Sequence, residues 1–207
     1  MNNAIANILK HDSVIAQLAG KLEVKPLPVT NDIYLDMLEN IVSQQLSGRV
    51  ATTIFNRFLD LFPDRYPNPN HLLKLDDIEL RKVGLSGAKS TYVKAMAEFA
   101  MNHDLNVDTI QQLPDDEVIK LLTQVKGVGV WTAQMLLIFS LGRNDVFPVD
   151  DLAIRQGMVE LYHLKSDGKK LRHQLLQISE RWAPYRTWGT RLIWAYVNSK
   201  KQNATRV

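Results

Sequence analysis

Cysteine is absent from all 207 residues. That excludes disulfides, thiolate zinc sites, a cysteine nucleophile and any cysteine-ligated iron–sulfur cluster. It is compatible with a reducing compartment. Long apolar runs are missing as well: none approaches the roughly 20 residues that a bilayer-crossing helix needs. The start, MNNAIANILKHDSVIAQLAGKLE, has no basic stretch leading into an apolar one, so no secretory signal is read there. The expectation is a cytoplasmic-type protein without membrane contact. Low-complexity segments, tandem repeats and long linkers are also lacking, and no period-2 run bounded by turns suggests a strand.

What is present is apolar content of 45%, enough for a sizeable core in one domain or in two small lobes sharing a cleft. Helical periodicity recurs throughout, and the fold class expected is all-α. In NDIYLDMLENIVSQQ the apolar positions are Ile33, Leu35, Leu38, Ile41 and Val42, with Asn31 or Asp32 as cap; SGRVATTIFNRFLDLF repeats the pattern behind Ser47. FPDRYPNPN, with three prolines, reads as a loop. Further helices are expected at about 75–83, 88–102, 115–124, 130–141, 151–162, 169–182 and 187–200. The formal charge is only +3, but it is unevenly spread. Residues 151–207 hold 11 Lys/Arg against 4 Asp/Glu, whereas residues 1–150 hold 14 against 18. Such a split suits phosphates, although ordinary drift of surface charge would produce it too.

Two segments run helix, short glycine-containing turn, helix. LRKVGLSGAKSTYV reads as an ordinary helical hairpin stopped by Gly84, with Lys82, Lys89 and Ser90 flanking the turn where phosphate could pass. LTQVKGVGVWTAQM is tighter. Its two glycines permit positive φ and close approach of a ligand to the backbone. The helix from Val130 should leave the amides around Gly127, Gly129 and Val130 as outward donors at a positive dipole end, with Lys126 and Val128 on the same turn. That is an anion site suited to a phosphodiester. The carbonyls of Thr123, Val125 and Val128 could converge on a monovalent cation, Na+ or K+. The plainer reading is that Gly127 and Gly129 merely end one helix and begin another. Beyond this apolar helix, PVDDLAI places Asp150 and Asp151 at a helix start. An N-cap accounts for one aspartate and leaves the other without a structural role.

These residues resemble the helix-hairpin-helix DNA glycosylases that carry a glycine/proline-rich loop and a following aspartate, and within them the 3-methyladenine DNA glycosylase II branch. The matching pieces are SQQLSGRVA (43–51), VKGVGVWTAQMLL (125–137), DVFPVDDLAIRQG (145–157) and RWAPYRTWGTRLIWAY (181–196), in the family's order over most of the chain. The resemblance implies a single glycosylase unit over 1–207. Within it, a central helical lobe of about 31–142 would carry the hairpin 115–141, and a second lobe would combine about 1–30 with 143–207, with a DNA-binding cleft between them. No room is expected for the additional N-terminal β-rich domain of larger bacterial members. Ungapped alignment of DVFPVDDLAI makes Asp151 the catalytic acid and Asp150 the helix cap; the oxidised-base pattern Pro-Val-Asp would select Asp150 instead.

Relatives that also cleave the strand carry a lysine two residues after the second glycine. Trp131 stands there, so no Schiff base is expected and the implied enzyme is monofunctional. A base within a duplex must be flipped out, at a cost of a few kcal/mol. The turn SQQLSG resembles the wedge that fills the gap, with Gln45 favoured and Gln44 and Leu46 beside it; helix termination and core packing explain the same residues without DNA. Trp131, Trp188, Trp194, Tyr185 and Tyr196 could line the base pocket, and the resemblance favours Trp131 and Trp194, with Trp182 and Trp188 read as core. A cationic alkylated purine would gain roughly 0.5 to 2 kcal/mol on an indole face. Such a base leaves readily, so no general acid is expected, and the five histidines lie outside the matched motifs. The implied partner is double-stranded DNA containing damaged bases, with no required cofactor and no obligate protein partner, in a bacterial cytoplasm at the nucleoid or in a nucleus. Alternative readings are a glycosylase for oxidised or deaminated bases and a non-catalytic damage-binding module.

Overall fold

Residues 11–24, 29 and 32–204 are described in a computed structural model. Among them the secondary structure is helical throughout and contains no strand, as the periodicity requires. Close packing of the chain divides it into two units, one continuous over Val29–Leu141 and one that joins Met1–Pro28 to Gly142–Val207.

In the continuous unit, α2 (Ile33–Ser43) buries Ile33, Tyr34, Met37, Leu38, Ile41 and Val42. Asp32 caps it by accepting from Leu35 N at 2.9 Å. Leu35, expected on the core face, is only half-buried; Tyr34 and Met37 take that face, and the Tyr34 hydroxyl donates to Pro67 O at 2.7 Å. After α3 (Gly48–Leu59) the proline-rich stretch is not all loop: a 3-10 turn occupies Pro63–Arg65, and α4 (Pro69–Lys74) begins on a proline. Pro at the first helical position costs nothing, because that amide has no partner within the helix. The helix expected at about 75–83 is α5 (Asp77–Lys82), opened by a reciprocal capping box between Asp76 and Glu79, and α4 before it is additional. Gly84 follows at φ 109, and Leu85 N closes onto Leu80 O with both leucines buried, a glycine-terminated helix end. Next come α6 (Gly87–Asn102), a short unexpected α7 (Val107–Gln111), α8 (Asp115–Leu122) and α9 (Val130–Phe139).

The discontinuous unit packs α1 (Ser13–Ala19) with α10 (Leu152–Leu161), α11 (Gly168–Glu180) and α12 (Arg186–Ala204). Its core is Ile15, Phe147, Ile154, Met158, Leu175, Trp182 and Ile193, among others. Buried Asp12 ties the start of α1 to the residues that follow α10 and α11. Its Oδ1 accepts from Val14 N and Ile15 N at the start of α1, and its Oδ2 from the Tyr162 hydroxyl at 2.8 Å and Trp182 Nε1 at 3.0 Å. Four donors satisfy a carboxylate that would otherwise be costly to bury. Trp182 is fully buried, the core residue expected from the sequence, with Gly189 backed against its ring.

Candidate functional site

The hairpin turn runs over residues 123–129, between α8 and α9. Val128 N donates to Val125 O at 3.0 Å, which tightens the turn and leaves one lone pair of that carbonyl. The two glycines do different work. Gly127 sits at φ 89, and a Cβ there would lie 2.2 Å from the Tyr92 ring, so its lack of a side chain serves packing from α6. Gly129 is extended (φ −96, ψ 174), caps α9, and would meet nothing within 4 Å if a Cβ were added. The open face of the turn is therefore at Gly129, where the first amides of a ten-residue helix converge. Although α9 buries Thr132, Ala133 and Met135–Ile138, its first residues Val130 and Trp131 are 53% and 42% exposed. An exposed apolar pair thus stands beside the open amides of the turn. Lys126 is exposed on the same turn.

The loop between α2 and α3 belongs to the same unit. Gln45 is exposed at φ 58, left-handed for a residue with a side chain; Leu46 is half-buried. Gln44 is bound within the protein: its Nε2 donates to Gly127 O at 3.1 Å, with Thr132 Oγ1 at 3.4 Å. Of the side chains expected to flank the first glycine turn on the DNA side, Lys82 is exposed but Ser90 is fully buried, and Lys89 Nζ donates to Val42 O and Gln44 O at 2.7 Å each. Burial lowers the Lys89 pKa from its ordinary value.

In the discontinuous unit the paired aspartates separate, and the assignment of the cap is corrected. Asp151, not Asp150, caps α10: its Oδ1 accepts from Ile154 N at 2.9 Å. The same oxygen accepts from Trp194 Nε1 at 3.0 Å, across from α12. Asp150 is exposed and paired with Arg172 at 3.3 Å, a contact between two half-exposed groups. Two donors and the dipole of α10 thus hold the Asp151 carboxylate in one place. Trp194 meets Asp151 through its ring N–H, a contact the sequence does not announce. Tyr185 is half-buried against the unit's core, as is Trp188, whose ring lies 5.3 Å from the Arg191 guanidinium.

What seats the Asp151 segment also escapes sequence reasoning. Arg186 grips Asp145 with a two-pronged contact, Nε to Oδ1 at 2.7 Å and a terminal nitrogen to Oδ2 at 2.8 Å. Thr187 donates its hydroxyl to Arg143 O and accepts from Val146 N, and Thr190 donates to Val146 O. The stretch 143–146 is stitched to the start of α12 by these bonds, eight residues before Trp194. The only signal was the presence of both segments among the matched motifs. Among the described residues no group of three or more His, Asp or Glu could hold a metal ion, and no helix is long and apolar enough to cross a membrane.

A family model described as HhH-GPD superfamily base excision DNA repair protein matches residues 38–184. DNA-3-methyladenine glycosylase 1 of Schizosaccharomyces pombe is 37% identical over 182 residues, covering 87% of this chain and 79% of that one. Two solved structures superpose with TM-scores of 0.82 at 32% identity. One is the S. pombe 3-methyladenine DNA glycosylase in complex with abasic DNA, covering 93% of this chain and 95% of that one. The other is a DNA-3-methyladenine glycosidase from Bacillus halodurans, covering 96% and 91%.

Proposed function

The chain belongs to the HhH-GPD superfamily of base excision DNA repair proteins, and from that premise we propose that it is a DNA glycosylase that excises alkylated purines of the 3-methyladenine type and leaves an abasic site. The observation that carries the proposal is Asp151, a carboxylate fixed by Ile154 N and Trp194 Nε1. The names of the similar proteins support the substrate class, and DNA is the partner.

Alkylation at N3 or N7 places positive charge on the purine. When the C1′–N bond breaks, the bonding electrons leave with the base and neutralise it, so the leaving group needs no proton. Positive charge instead grows on the sugar, where the Asp151 carboxylate stabilises it and accepts a proton from the water that attacks C1′. The exposed Trp131 ring offers a cationic base an electron-rich face. The amides at Gly129 and Val130 and the Lys126 ammonium hold the backbone by phosphate contacts. The carbonyls of Thr123, Val125 and Val128 would hold a monovalent cation, which would supply positive charge for a backbone phosphate; the remaining lone pair on Val125 O is compatible with that role. The chemistry requires no other cofactor. In the motif, two residues after the second glycine, Trp131 stands where strand-cleaving relatives carry a lysine, so the enzyme is proposed to be a pure hydrolase without strand-cleaving activity.

The test is release of free bases from methylated duplex DNA. Wild type should release alkylpurines, with strand breaks only after alkali and no protein trapped on DNA by borohydride. Asp151→Asn should lose on the order of 10²–10⁴ in rate, and Asp150→Asn should retain it. Full activity in Asp151→Asn would remove the carboxylate from the mechanism, and borohydride trapping would remove the claim of pure hydrolysis.

A further inference from the structure

Within the unit Val29–Leu141, the first turn of α6 faces the end of α2. The last carbonyls of a helix lack partners inside it, and a cation is favoured there by the helix dipole. Lys89 caps α2 from there, donating at 2.7 Å each to Val42 O within the helix and to Gln44 O at its C-cap, the residue from which the loop departs. Gln44 is thereby held at both ends, its carbonyl by Lys89 and its side-chain amide by Gly127 O. Three residues along α6, the Tyr92 ring fills the space that a Cβ on Gly127 would take. One helix therefore seats the loop through Lys89 and the hairpin turn through Tyr92, and Gln44 ties loop to turn. Gln45 projects from the fixed frame, exposed and at φ 58. A left-handed conformation costs a residue with a Cβ about 1 kcal/mol or more, and it persists where its neighbours determine it.

We propose that Lys89 is a positioning residue that locks the 44–47 loop to the backbone-gripping turn, so that Gln45 is presented rigidly and enters the duplex when the damaged nucleotide leaves it. The claim rests on the glycosylase reading given above. Desolvation of the Lys89 ammonium fits the role, because a cation drawn partly out of water needs acceptors as close as these two.

Lys89→Met keeps the aliphatic stem and removes both hydrogen bonds. A loose wedge hampers extrusion of a base from a stack and matters little where no stack has to be opened. Single-turnover excision from duplex DNA should fall about tenfold, the loss of roughly one charge-assisted hydrogen bond, while excision from a single strand carrying the same lesion should stay within about twofold. Fluorescence of 2-aminopurine placed at the flipped position in duplex DNA should rise less with Lys89→Met than with wild type at saturating protein. Lys89→Arg, which keeps charge and donors, should restore most of both signals. If Lys89→Met melts below assay temperature, Lys89→Gln carries the same comparison. Equal loss on duplex and single strand, or no loss on either, would reduce Lys89 to a helix cap and overturn the proposal. Should wild type release no alkylated base at all, the glycosylase reading fails, and the fluorescence comparison still decides whether Lys89 controls extrusion.

Discussion

Asp151 has two roles that are usually separate. As N-cap it accepts from Ile154 N, which stabilises α10 by roughly 1 kcal/mol. As the proposed acid it must stay at one point relative to the sugar, and Trp194 Nε1 completes that restraint. Trp194→Phe separates the N–H from the aromatic face. If the N–H positions the acid, Trp194→Phe should slow base release by about 10- to 100-fold, the range set by a hydrogen bond to a charged group, and Trp194→Leu should be no more than a little slower. If the ring acts only as a stacking surface, Trp194→Phe should retain the rate and Trp194→Leu lose it; that outcome in single-turnover assays would discard the positioning role. The sequence points to Asp151 as the acid but misplaces the cap on Asp150, because adjacent aspartates satisfy N-cap preference equally and helix ends are the least sharply defined part of a periodic pattern. Nor could Trp194 be paired with Asp151 from sequence, since nothing local links residues 43 apart.

At the level of elements, α10 and α12 pack against each other at Gly157, where a Cβ would lie 2.6 Å from Ile193 Cγ2 and 2.9 Å from Val197 Cγ2. In an open helix Gly→Ala stabilises by about 1 kcal/mol. Here overpacking of about 1–3 kcal/mol opposes it, and because β-branched side chains on a helix yield little at χ1 the clash should prevail. Gly157→Ala should lower the melting temperature and also slow excision, because Ile193 immediately precedes Trp194; an unchanged or raised melting temperature would show that α12 gives way freely. Gly87→Ala, with nothing within 4 Å of its added Cβ, is the contrasting substitution and should be neutral or stabilising. The longer helices were legible because ten or more residues display a 3.6-residue period, as in α2 and α12. The five residues of α7 cannot display one, and α4 was hidden by prolines that mark a helix start as readily as a loop. The hairpin glycines were legible as a motif. Their division of labour was not, because it depends on Tyr92, a residue 35 positions before Gly127.

For the whole molecule, distant parts of the chain meet at Asp12, whose carboxylate binds donors 150 and 170 residues away. The C-terminal part thus assembled also holds the positive excess, 11 Lys/Arg against 4 Asp/Glu in residues 151–207, set against 14 and 18 in residues 1–150. A net charge of +3 spread evenly would attract a polyanion weakly; a segregated one presents a positive field to it whatever the total. Lys165, Lys169 and Lys170 are exposed, and part of the excess is consumed by internal pairs such as Arg172 with Asp150 and Lys200 with Glu160. Neutralised phosphates release their counterions, so binding of undamaged duplex should weaken with a log–log slope of about −3 or steeper in salt, corresponding to three or more phosphates. Asp151→Asn should give a parallel line, because the acid takes no part in holding phosphate. A slope near zero for the wild type would mean that the segregated charge is ordinary surface and that the hairpin amides alone grip the backbone. A shallower slope in Asp151→Asn than in wild type would mean that the acid also orders the phosphate contacts, and the separation of grip from chemistry would have to be abandoned.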